Sequence, residues 1–334
     1  MYCKEVHIDE FNLCLQELQS KLYNSRQKPN LLSNGFDSFA YQTSFIVYEG
    51  NRVLACANMF VNMHIAWNGT PYALVGNYEC IDNLEASKQI LSKITSFAKN
   101  VNIETILGPM NGSTWYNYRF SLTQGANSFF LEPIHKDYYL NQFKSFGFLI
   151  DKEYQSTIEE DFNFQSSSIE GVREKLQNDS VALRCFDKTS FESDLKGIYD
   201  VSLIAFQNNP YFYRLDWNDF LLKNKQTIPM LDEELFIIAY KKNTIVGYLF
   251  ALEDFYSTTK KQAVLKTLAV IPDKKYSGLG YVLLQELYNN LNAKGYQSLI
   301  HAFMYMNNNV TRMTNKLGSK PLNDYILLRK DLSE

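Results

Sequence analysis

Residues 271–287 read IPDKKYSGLGYVLLQEL, and three features meet inside them. An apolar run, KQAVLKTLAVI, ends at Pro272, a loop with two glycines one residue apart follows, and an amphipathic helix then begins. Gly278 and Gly280 have no Cβ, so backbone N–H groups can approach a ligand just where a helix exposes its first unpaired donors. Such a helix mouth attracts anions, and one phosphate can accept several N–H bonds at once. Lys275 adds a positive charge beside it. Glycines at this spacing also suit a tight strand-to-helix turn with no ligand, and the spacing alone does not choose between the two.

Around this stretch the chain has 334 residues, enough for two domains of ordinary size. A hydrophobic share of 46% with 21% charged residues fits a globular protein with a sizeable core. The net charge of -3 comes with no basic block, which argues against a nucleic-acid partner. The opening MYCKEVHIDEF carries four charged residues and does not read as a signal peptide, and no window approaches a membrane span. Five cysteines at irregular spacing point to reduced thiols in the cytoplasm. The four histidines lie far apart and make no metal-ligand pattern with them, so no metal is expected.

Apolar periodicity and turn residues give the two halves one order of elements: helix, hairpin, strand, helix, strand, helix, strand. In the first half a helix over FNLCLQELQSKLY, capped by Asp9, precedes a hairpin turning at Gly50-Asn51. A strand at 72–81, a helix at 84–99, a strand at 104–107, a helix at 138–146 and a strand ending near 158 follow. The polar segment EEDFNFQSSSIEG marks a boundary. In the second half the strand at 181–186 leads to helices at 190–206 and 217–223 and a hairpin at Lys242-Asn243. The buried strand before Pro272, a helix at 278–293, a strand at 298–305, a helix at 310–317 and a strand at 325–328 complete it. The expectation is an α/β protein of two tandem, like-folded domains, 1–162 and 163–334, each a twisted mixed sheet flanked by helices.

LAVIPDKKYSGLG resembles the signature of the GNAT superfamily of N-acetyltransferases, R/Q-x-x-G-x-G/A after a strand reading L-x-V-x-P, with Lys275 in the Arg or Gln position. NNNVTRMTNKLGS is similar to the superfamily's downstream N-x-x-A-x-x-L-Y-x-x-x-G, with Asn307, Val310, Met313 and Gly318 in register and Thr314 where the tyrosine stands. The resemblance implies a split pair of parallel central strands holding acetyl-CoA and a small amine as acceptor. It places the diphosphate on the amides of Lys275, Tyr276, Ser277, Gly278, Leu279, Gly280 and Tyr281, with Asn307 beside the cofactor. Pantetheine would lie along Leu268, Ala269 and Val270, with the Val270 N–H as oxyanion donor. Threonine cannot replace tyrosine as the acid for the leaving thiolate, so Tyr305, at the end of the preceding strand, is the substitute candidate. No carboxylate stands between Ala263 and Ile271, which leaves Glu253 and Asp254, at the preceding strand's end, as candidate bases.

In the first half the matching position, ALVGNYECIDNLEASKQIL, carries Asp82 and Glu85 where a phosphate cradle needs glycine and positive charge, so anion binding is disfavoured there. LGPMNGSTWYNYRF is similar to a segment of a group of bacterial proteins of similar length, not yet characterised, whose carboxyl half is GNAT-like. Asn111 and Trp115 there could line an acceptor pocket, or Trp115 could anchor a domain interface with Arg119 paired at the surface. Two other functions fit the same residues: a silent acyl-CoA binder, motivated by Thr314, and an aminoacyl-tRNA-dependent transferase, which the mild acidity disfavours.

Overall fold

A central strand of an α/β sheet is read by its alternation, because successive side chains enter opposite layers. In the computed structural model, which describes residues 1–23, 35–67, 69–123, 128–162, 167–225, 227–306 and 317–332, the strand Phe236–Lys241 sends Phe236 and Ile238 into one core and Ile237 and Ala239 into another. Both faces are therefore covered by helices. Near the amino terminus Phe45 and Val47 enter a core with the second helix, and Ile46 enters one with the first.

The first half contains β1 (Tyr2–Val6), α1 (Ile8–Leu22), β2 (Tyr41–Glu49), β3 (Arg52–Trp67), β4 (Thr70–Cys80), α2 (Leu84–Asn100), β5 (Thr105–Gly108), β6 (Phe120–Ser121), α3 (Tyr138–Ser145) and β7 (Leu149–Glu159). The second contains α4 (Ser167–Asn178), β8 (Val181–Cys185), α5 (Phe191–Ala205), α6 (Trp217–Lys225), β9 (Phe236–Lys241), β10 (Thr244–Glu253), β11 (Gln262–Val270), α7 (Leu279–Ala293), β12 (Ser298–Tyr305) and β13 (Lys320–Asp331). The hairpins turn where the sequence says, between Glu49 and Arg52 and between Lys241 and Thr244. The cap of α1 is His7, whose ring accepts from the Asp9 N–H, and not Asp9. The segment read as a polar boundary contains the start of α4, whose apolar positions are too sparse to announce a helix. The expected helix at 310–317 lies, but for Leu317, outside the described residues.

The strands form one sheet in the order β1-β2-β3-β4-β5-β13-β7-β12-β11-β10-β9-β8, with β6 against β13. The last strand of each half is interleaved with the other. β13 pairs with β5 through Leu328↔Gly108 and with β7 through Tyr325↔Tyr154, while β7 pairs with β12 through Ile300↔Ile158. β13 is much longer than the expected 325–328 because it has a partner on both sides. Among the described residues two neighbouring pairs are parallel, β4–β5 and β11–β12. Among the described residues no helix is long and apolar enough to cross a membrane.

Candidate active site

β11 and β12 pair from Gln262↔Ser298 to Leu265↔His301 and then part. Lys266 sits at the point of parting as an extra residue in the ladder to β10, where Ala251 faces Leu265 and Phe250 faces Thr267. Such a bulge re-aims the strand. Ile271 N–H donates to Val246 O, so the adjacent pair Gly247↔Val270 is a non-hydrogen-bonded one. The main-chain groups of Val270, and two residues back of Leu268, therefore point away from β10 into the gap.

At the mouth of this gap α7 begins. Its cap residue, Gly278, has φ +88°, and no side chain caps the helix. Gly278 is doubly constrained: the left-handed backbone disfavours a side chain, and a Cβ would sit 2.8 Å from Val172 Cγ1 on α4. Gly280 is different, since a Cβ there would meet only Leu268 Cδ2 at 3.7 Å, an ordinary contact. Packing does not demand glycine at 280. Lys275 and Ser277 are exposed, and Lys275 Nζ pairs with Asp273 Oδ2 at 2.7 Å. The side chains of Tyr276 and Leu279 are buried in the α7 core and that of Ala269 under α5, which leaves their main chain for a ligand. Tyr281 is half-buried on the first turn. Asn307 and Thr314 lie outside the described residues.

The first half has the same gap, closed. β4 and β5 pair at only Ala73↔Ile106 and Leu74↔Leu107 before parting. Met110 N–H then donates to Val75 O at 2.7 Å, and Asn77 N–H donates to Asn111 Oδ1 at 2.9 Å, so the GPMN loop occupies the edge of β4. A Cβ on Gly76 would lie 2.6 Å from both Asn111 Oδ1 and Met110 O. The expectation that Asn111 contacts substrate is corrected: both ends of its amide are spent on Asn77. The helix mouth is closed too, because the Asn83 side chain accepts from the N–H groups of Glu85 and Ala86.

A cavity of about 340 Å³ runs from the gap of the second half toward α5 and α6. Leu268 and Tyr305 line it, as does Trp115. Trp115 also acts as the anchor: its Nε1–H donates to Tyr213 O at 3.0 Å and its ring packs on Phe212 and Phe220. Glu253 is corrected. It is exposed at the far end of the sheet, opposite Ala263, seven residues before Val270, and takes the Tyr296 hydroxyl at 3.4 Å. Asp254 accepts from the Phe130 and Tyr256 N–H groups and the Gln262 side chain, a structural duty.

Four further residues line the cavity, three of which the sequence reading gave no role and one, Arg119, a different place. His301, at the last rung before the gap, is buried, with Nε2 2.9 Å from Glu159 Oε2; the Tyr288 hydroxyl donates to the same oxygen at 2.6 Å. Burial and that carboxylate push the Tyr288 hydroxyl well above its ordinary value. His301 Nδ1 has no hydrogen-bond partner among the described residues. With Nε2–H given to the carboxylate, Nδ1 carries a lone pair, the form of a proton acceptor. Arg119 is buried, against the expectation of a surface pair, and lies between the rings of Tyr118 and Tyr154 at 3.8 and 4.3 Å. Lys223 and Lys266 complete the set. Desolvation and then the charge of Lys266 bring Lys223 down to about 8, and desolvation lowers Lys266 as well. Lys266, a charge inside the run AVLKTLAVI, was the one visible signal.

Residues 198–318 match the family model described as Acetyltransferase (GNAT) family. No curated protein matches the chain. Among solved structures, a tandem GNAT protein from the clavulanic acid biosynthesis pathway aligns over 99% of this chain and 98% of its own, with TM-score 0.57 and 12% identity. A GCN5-related N-acetyltransferase from Sphaerobacter thermophilus aligns over 99% and 95%, with TM-score 0.54 and 12% identity. A GCN5-related glucosamine N-acetyltransferase region of a fungal multi-domain GH3 β-N-acetylglucosaminidase aligns over 98% of this chain, with TM-score 0.57 and 9% identity, and this chain spans only 38% of that protein. Identities this low carry a likeness of fold alone. Residues 198–318 thus carry the match to the GNAT acetyltransferase family model, within a chain that has the tandem GNAT fold throughout.

Proposed function

We propose that the protein is an acyl-CoA-dependent N-acyltransferase that moves an acetyl group from coenzyme A to a small primary amine. One contrast carries this reading. Of two like gaps, the first is plugged by Met110 and Asn111 and its helix is capped by Asn83, while the second has main-chain groups facing it and an uncapped helix at its mouth. The amides of 277–281 would hold the diphosphate, with Lys275 exchanging Asp273 for it. In the transfer the amine nitrogen bonds to the thioester carbon, the C–S bond breaks, the nitrogen loses a proton and the thiolate gains one. The Val270 N–H faces the gap as donor to the oxyanion. His301 Nδ1 would take the amine's proton while Glu159 steadies the imidazolium. Tyr305, on the cavity wall, is the candidate to return a proton to sulfur.

Calorimetric titration of the dialysed protein with acetyl-CoA tests the reading. Binding is expected in the wild type and lost in Gly280→Glu, which puts a carboxylate at the anion site at a position where an added Cβ makes only an ordinary contact. Sustained free-thiol release across an amine panel should accompany it. No heat at high micromolar acetyl-CoA would overturn the proposal, and binding without turnover would reduce the protein to an acyl-CoA binder.

A further inference from the structure

We propose that the cavity beside the gap is an oxyanion site, and that one of the two reactants carries a carboxylate or phosphate that docks against Arg119, Lys223 and Lys266. This rests on the acyl-transfer reading for what the oxyanion belongs to, and on the cavity itself for its existence.

Three cations from distant parts of the chain line one cavity, and none of the described residues lining it is Asp or Glu. Arg119 is 7% exposed and held flat by aromatic rings, and its guanidinium donates Nη1–H to Phe303 O at 3.3 Å. A guanidinium has five N–H donors in a planar fork that matches a carboxylate or phosphate. A buried cation without a counter-charge is costly, and two lysines aimed into the same space add repulsion. Lys223 Nζ rests 4.1 Å over the Tyr116 ring, which holds it in place without neutralising it. A ligand that brings negative charge removes all three costs at once. A polycationic acceptor adds to them.

Coenzyme A's own diphosphate does not account for the trio. Lys266 is at the apex of the gap, and α7 begins beyond Val270, so about four strand residues at roughly 3.3 Å each separate the apex from the end of the strand nearest the helix mouth.

The test is calorimetry without coenzyme A, using succinate and inorganic phosphate as oxyanion probes and putrescine as the cationic control. Succinate or phosphate should bind, putrescine should not, and Arg119→Gln and Lys266→Gln should each weaken the oxyanion by about tenfold or more. Lys266→Gln leaves the ring packing around Arg119 in place, so it keeps the test valid if Arg119→Gln fails to fold. No oxyanion binding at high millimolar concentration, or binding unchanged in Lys266→Gln, overturns the inference. So does a pattern in which the variants weaken acetyl-CoA alone. Two kinetic arms then locate the anion: acetyl-CoA with amino-carboxylate acceptors, or succinyl-CoA with neutral amines. Turnover in either supports the site, whereas faster turnover of acetyl-CoA with neutral or cationic amines than with either arm sinks it. Failure of every kinetic arm with oxyanion binding intact would fault acyl transfer and not the site.

Discussion

His301 reaches the cavity only because β7 of the first half lies beside β12, bringing Glu159 within hydrogen-bond distance across 142 positions of sequence. If its Nδ1 accepts the amine's proton, His301→Gln should lower kcat by about 10²–10⁴-fold. A thermal midpoint near wild type would separate this from a packing defect. An unaltered kcat would return His301 to a structural role. Lys223 gives a pH dependence. It faces Lys266 on β11 and the Tyr116 ring from the first half, with Asp219 one turn earlier on α6. Its folded value, about 8, lies below its ordinary 10.5, so the folded protein releases this proton first. Oxyanion affinity should therefore fall as pH rises through about 8, and this lysine's penalty on stability should fade between about 8 and 10.5. Succinate titrations at stepped pH check it, and a Lys223→Gln variant should lose the step.

The loop between β11 and α7 contains two glycines that the spacing G-x-G treats alike and the structure separates. Gly278→Ala should cost about 1–3 kcal/mol, from a positive φ and the contact with Val172. Gly280→Ala should leave stability within about 0.5 kcal/mol of wild type and weaken acetyl-CoA instead. Paired denaturant melts and acetyl-CoA titrations measure both, and equal destabilisation would show that Gly280 is also a packing residue. The position of this helix mouth was legible in the sequence, because it is built from adjacent residues. The plug in the first half was only half legible. Asp82 and Glu85 argued against a phosphate there, but the GPMN loop's occupation of the gap needed β4 and β5 to be placed.

At the scale of the molecule, the interleaving of β7 and β13 makes each half incomplete without the other. A fragment of residues 1–162 would leave β5 and β7 without the strand that lies between them, with Tyr154 and Leu107 exposed along open edges. It should aggregate or stay unfolded, whereas the full chain should unfold in one transition by calorimetry and by circular dichroism. A soluble fragment with its own cooperative melt would show that the first half folds alone.

Most of the order of elements, though not β1, β6 or α4, together with both hairpin turns, the buried run of β11 and the glycine loop, was decided by the sequence itself. Each depends on residues within a few positions of one another, where propensity and periodicity act directly. Which strand fills the seam between halves, which gap stays open, and the meeting of Arg119, Lys223, Lys266 and His301 were decided by tertiary structure. Those contacts join residues up to 226 positions apart along the chain, and charge or aromatic character in a strand says nothing of which cavity it will face until the sheet is assembled.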